Sequence, residues 1–291
     1  MKPFHIIVAL LLGSCWMSCN VINPPEKVPT YVHIDSFAFR TPPASLGTAS
    51  HAISSVYVFY NNNPIGFFDL PATFPVITTG DSGVITVSPA VSVNGLYNFQ
   101  SPYKYYSDDT MVLKTNPGKI TNYLPTTGYL IPYTHVPWQN NFDNGVDFLN
   151  SDTGVDKRTI KQDNAPADLF EGAVGRVDLN LPDTSSFTVI SQHPFTMDVN
   201  GQTYLELNYK CSATFQIGVE AFASDGSILG QQLLAGGNPS PNQWKKLYIS
   251  LQTVAQQFPN QQYRILIKFL LPDGQSGGYV LLDNLKVVGD Q

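Results

Sequence analysis

Tyr204-Leu205-Glu206-Leu207-Asn208-Tyr209 alternates leucine with a charged or amide side chain, the period-two pattern of a strand with one face in a core. Outward from it, segments of the same kind recur at 174–181, 187–190, 213–222, 228–234, 244–251, 263–271 and 279–288, with turn residues between them. No helix of ordinary length is predicted, and residues 251–258 make at most one turn. Short strands at this spacing predict a β-sandwich. Cys211 continues the alternating segment and is expected to be a buried strand thiol.

Upstream the pattern is again β. Residues 31–39 alternate, and 55–60 and 65–70 flank Asn61-Asn62-Asn63-Pro64, a hairpin turn. Strands are also predicted at 84–89 and 110–115. The proline-rich stretch 116–141 holds the last strand of this unit and then a linker. The expected fold class is therefore all-β, with two β-sandwich domains at 31–137 and 138–291.

Composition narrows the function. Of 291 residues, 43% are hydrophobic and only 13% charged, with 22 Gly and 22 Pro, which suits an extracytoplasmic β protein more than a helical cytosolic enzyme. The net charge is −6 and no Lys/Arg run stands out, so nucleic-acid binding is not expected. Two of the three cysteines lie in the first twenty residues, and no Cys/His spacing suggests zinc.

The N-terminus reads as an export signal. Lys2 precedes an apolar run from Phe4 to Leu12 that is too short to span a bilayer, which needs about 20 residues. Leu12-Gly13-Ser14-Cys15 resembles the bacterial lipobox, whose cysteine is lipidated after cleavage. Cys19 is a second candidate, and an ordinary unlipidated signal is the alternative. Residues 1–18 are thus expected to be a lipoprotein signal peptide cleaved before Cys15 or Cys19. Residues 19–30, with three prolines, form a tether.

Two resemblances add to this. Residues 53–115, with Gly66-Phe67-Phe68-Asp69-Leu70-Pro71, are similar to a PEGA-type β-sandwich scaffold module and to an uncharacterised lipoprotein family of Bacteroidetes. Asn141-Phe142-Asp143-Asn144-Gly145 and Tyr279–Val287 resemble the two ends of galactose-binding-like jelly rolls, a fold many carbohydrate-binding modules use. Together they imply a lipid-anchored protein of the cell envelope, in the outer membrane, with the membrane face open. The C-terminal jelly roll would bind a glycan. The alternative is a structural protein whose domains meet envelope protein partners.

The jelly-roll resemblance also implies a structural calcium, with Asp143 and Asp283 at the liganding positions. Calcium takes roughly six to eight oxygens, so loop carbonyls would complete the shell. The bland reading is that Asp143 caps a turn and Asp283 bonds backbone. For a sugar, aromatic rings would stack on pyranose faces, and the candidates are Trp138, Tyr204, Trp244 and Tyr248. Trp244 could equally be core and Trp138 could lie between domains. Residues 230–241 are either a binding loop or a turn. Asp109-Thr110-Met111 resembles the O-glycosylation signal of exported Bacteroidetes proteins, with Thr110 as acceptor, or it is a turn entering a strand. His33, His51, His135 and His193 are dispersed and fit no catalytic spacing, so an enzyme is not expected.

Overall fold

The computed structural model describes residues 26–151, 158–165 and 169–290; the signal segment with Cys15 and Cys19 lies outside them. Among the described residues no helix is long and apolar enough to cross a membrane.

The first unit contains β1 (Thr30–Ile34), β2 (Ala38–Phe39), β3 (Ile53–Tyr60), β4 (Asn63–Asp69) and β5 (Ala72–Val76). It continues with β6 (Ser82–Ser92), β7 (Gln100–Pro102), β8 (Asp109–Lys114), β9 (Ile120–Asn122) and β10 (Thr126–Thr127). One sheet has the order β5-β1-β9; the other runs β4-β3-β6-β7, with β8 also on β6; β10 and β2 form a separate pair. Their inward positions meet in a core of Val32, Ile34, Phe74 and Val76 against Val56, Val58, Ile85 and Leu113. The β3–β4 hairpin turns on Asn61 and Asn62, both at positive φ (49° and 64°), as a two-residue turn requires. The Asn61 side chain also accepts the Val84 N–H at 2.8 Å, tying the turn to β6.

The second unit contains β11 (Thr134–Asn140), β12 (Phe148–Asn150), β13 (Lys161–Asp163), β14 (Val174–Asn180), β15 (Ser186–Ser191) and β16 (Tyr204–Cys211). After these come β17 (Thr214–Phe222), β18 (Ile228–Gly237), β19 (Lys245–Ser250), helix α1 (Gln252–Gln257), β20 (Gln262–Leu270) and β21 (Gly277–Asp290). Sheet one has the order β13-β14-β21-β16-β19 with β11 on β21, and sheet two β12-β15-β20-β17-β18. Leu205, Leu207, Val280 and Val287 of sheet one face Ile217, Val219, Ile265 and Phe269 of sheet two. Each such side chain contributes roughly 1.5–3 kcal/mol by leaving water. This is a jelly roll, and Cys211 lies buried in its core as a free thiol.

Two sequence expectations shift. The second unit begins before residue 138, because β11 already pairs with β21 from Thr134↔Asp290 onward. Residues 230–237, read as loop or turn, continue β18. Between β16 and β21 the register shifts: Asn208 pairs with Asp283 and Glu206 with Lys286. Asn284, at φ 51°, takes up the extra residue. That bulge puts both Asp283 and Lys286 on the outer side of sheet one while Leu285 points into the core.

Candidate functional site

A sandwich has two outer faces, and here they have opposite fates. On β16, β19 and β21 the outer side of sheet one is covered by the first unit. Glu206, fully buried, accepts hydrogen bonds from Tyr103 at 2.7 Å and from Tyr129 at 2.8 and 2.9 Å. It pairs with Lys246 at 2.9 Å and has Lys286 at 3.8 Å. Lys286 donates to the Leu46 carbonyl at 2.6 Å and lies 4.3 Å over the Tyr129 ring. Around these groups the apolar parts of Leu46, Val91, Tyr103, Tyr106, Tyr204 and Val288 form a continuous core between the units. Asn94 completes the join, its N–H donating to the Tyr248 carbonyl and its side chain accepting from Ser250 N–H.

Electrostatics keep this cluster charged. Burial pushes the Glu206 carboxyl up, but Lys246, Lys286 and the tyrosine hydroxyl outweigh it and hold it at about 2. Burial draws Lys286 down to about 8, with Glu206 opposing and Lys246 reinforcing the shift. At neutral pH both remain ionised.

Three of the four aromatic candidates are therefore closed to a ligand. Tyr204 and Tyr248 belong to the covered face, Tyr248 with 1% exposure and its hydroxyl 3.0 Å from that of Tyr106. They alternate outward from sheet one as the sequence requires, but outward there means into the first unit. Trp138 lies neither in a linker nor between domains: on β11, it packs in the jelly-roll core edge-on to Phe148 and donates its N–H to Asp147 at 2.7 Å. Trp244 is half-buried just before β19, against Phe170 at 5.2 Å. Thr110 is exposed on β8.

The expected calcium residues do come to one place. Asp143 accepts from the Ala173 N–H and from the Asn141 side chain; Asp283 accepts from the N–H groups of Glu171 and Asn284. Burial, with Glu171 and Asp143 close by, pushes Asp283 up to about 7 against those hydrogen bonds. Among the described residues no group of three or more His, Cys, Asp or Glu side chains is placed to hold a metal ion. The pair accepts the N–H groups of Glu171, Ala173 and Asn284. Its visible role is to peg residues 171–173 to sheet one.

The outer side of sheet two is open. Register places its side chains in rows across the strands. Gln231, Glu220 and Arg264 form one row. Leu233, Gly218, Leu266, Ile190 and Leu149 form the next, and Gln216, Lys268 and Thr188 a third. Leu149 and Leu233 are 52% and 41% exposed. Gln231 donates to Glu220 at 2.7 Å, and the Arg264 guanidinium lies 4.4 Å over the Phe222 ring. Only glycine fits at 218, because a Cβ there would stand 1.8 Å from the Gln232 carbonyl oxygen. Where this face meets the loop Asn94–Leu96 of the first unit there is a cleft of about 570 Å³, with Thr214, Gln216 and Asn238 along its wall. Leu96, Tyr97 and Phe99 on that loop are all more than half exposed. Of these residues the sequence singles out only those within 230–241; for the others the signal is the polar half of the alternation in 214–222 and 262–270.

No protein-family model and no curated protein matches the chain. Solved structures resemble about half of the chain. The CBM22-1 xylan-binding domain of Paenibacillus barcinonensis Xyn10C aligns at 13% identity over 54% of this chain and 96% of its own, with TM-score 0.36. TmCBM61, solved with β-1,4-galactotriose, aligns at 12% over 50% of this chain and 92% of its own, with TM-score 0.32. Tailspike protein 4 of bacteriophage CBA120 aligns at 17% identity over 50% of this chain, which spans 20% of the tailspike chain, with TM-score 0.36. The fold assignment rests on the strand order and pairing described above.

Proposed function

We propose that the protein is a non-catalytic, lipid-anchored envelope protein that binds a glycan on the outer face of the second jelly-roll sheet. The observation that supports this is the asymmetry of the sandwich. Strands β16, β19 and β21 of sheet one are covered by the first unit, whereas the face of sheet two presents Gln231, Arg264, Gln216 and Lys268 beside the exposed Leu233 and Leu149. A pyranose offers that same combination, with C–H faces for Leu233 and Leu149 and hydroxyls for amide and charged groups. The first unit serves as a spacer and contributes one wall of the cleft. A glycan array of plant, algal and host polysaccharides, probed with the purified chain, tests the reading. Silence across the array would sink it.

A second reading has one observation in its favour. The exposed Leu149 and Leu233 at the two ends of the apolar row could seat an envelope protein instead. A pull-down that depends on Leu149 and Leu233, with a silent array, would favour it.

For the anchor, acyl-chain labelling of Cys15→Ser and Cys19→Ser variants identifies which cysteine, if either, carries lipid, and fractionation tests the outer membrane. Intact mass of the protein isolated from its own cells, compared with Thr110→Ala, tests the proposed O-glycan.

A further inference from the structure

We infer that the open face takes an anionic glycan, one bearing carboxylate or sulfate groups; this deepens the glycan reading and rests on it. Arg264 and Lys268 stand on the outer side of β20, flanking Leu266. Some cations of the chain are paired with carboxylates: Lys104 with Asp290, Arg176 with Asp163 and Asp178, Lys246 with Glu206. Among the described residues Arg264 and Lys268 have no such partner.

Arg264 goes further. Its Nε is buried without a hydrogen-bond acceptor, so the donors of this guanidinium are not all satisfied within the chain. Stacking on Phe222 fixes the plane of the guanidinium, and a planar fork held that way suits a carboxylate or sulfate. Glu220 is the remaining charge among the five strands of this face, and its Oε2 is already held by Gln231. Two cations against one occupied carboxylate leave the face positive in a chain of net charge −6. Arg264 and Lys268 are about 13 Å apart along the strand, the span of a short oligosaccharide rather than of one ring.

The test is calorimetric titration of the purified full chain with oligogalacturonate, a sulfated galactan oligosaccharide and neutral β-1,4-galactan oligosaccharide. Binding of an acidic probe is expected, weakening as salt rises from 50 to 500 mM. Arg264→Gln should cost about tenfold in affinity and Lys268→Gln a smaller factor, with both variants folded by circular dichroism. Uronate against sulfate then distinguishes the source of the charge. Equal binding of the neutral probe, or acidic binding indifferent to both substitutions, overturns the inference and leaves the glycan reading standing. Binding to no glycan, here and on the array, overturns both.

Discussion

Replacing Glu206 with glutamine keeps the shape of the side chain and removes its charge, leaving two buried ammonium groups without a counter-ion. The size of the loss follows from the site. In the folded chain the carboxyl titrates at about 2 rather than at 4.5. That difference is worth about 3 kcal/mol in favour of the ionised form. Breaking a buried ion pair from one side costs about 3–5 kcal/mol elsewhere. Lys286, already drawn down to about 8, can shed its proton and limit the damage. A loss of about 3 kcal/mol is therefore expected, a fall in melting temperature of roughly 6–12 °C. Urea unfolding at pH 7, followed by tryptophan fluorescence and circular dichroism, reads it. Because the folded value lies below the unfolded one, the contribution is complete above pH 4.5 and disappears as pH falls toward 2. The glutamine variant should lack that acid slope. A variant within about 1 kcal/mol of the parent that kept the slope would refute the account of the interface.

Three further outcomes are expected. Tyr129→Phe removes the hydroxyl that reaches both Glu206 oxygens and should cost about 1.5–3 kcal/mol in urea, with the denaturant slope unchanged. Asp283 titrates at about 7 when folded and 3.8 unfolded, so its contribution is full below pH 3.8 and is lost as pH rises through 7. The parent should weaken between about pH 4 and 7, whereas the urea midpoint of Asp283→Asn stays level, and chelator should leave the parent's melting temperature unmoved. A calcium-dependent rise in the parent, absent in the variant, would restore the ion. Gly218→Ala drives a Cβ into the Gln232 carbonyl and should destabilise by about 1–3 kcal/mol, measured by thermal unfolding.

Much of the fold could be read from alternation, because strand period and turn chemistry are local. Asn61-Asn62 announced its hairpin through the tolerance of asparagine for positive φ. What alternation cannot say is what lies beyond a strand's outer face. Glu206, Lys246 and Lys286 have the spacing of solvent-facing positions, and their partners Tyr103 and Tyr129 are 103 and 77 residues away from Glu206. Once that face is known to be covered, Tyr204 and Tyr248 stop being ligand candidates and sheet two takes their place. The density of tyrosine at Tyr103, Tyr105 and Tyr106 was the one local hint of the interface, since such rings must be buried against something. Trp138 misled for a different reason: a proline-rich flank disguised the first strand of the jelly roll as linker.

The chain crosses from one unit to the other directly into β11, which lies antiparallel along β21. Tension applied through the N-terminal side and resisted at the far sheet would pull β11 along its own axis. Hydrogen bonds in an antiparallel pair stand perpendicular to the strands, so such a load is shared among them instead of opening them one at a time. The ion cluster of Glu206 and the two lysines stands in parallel with that seam. A molecule joined in this way resists being stretched more than its modest loops would suggest, a useful property for anything that grips a polymer while held at one end.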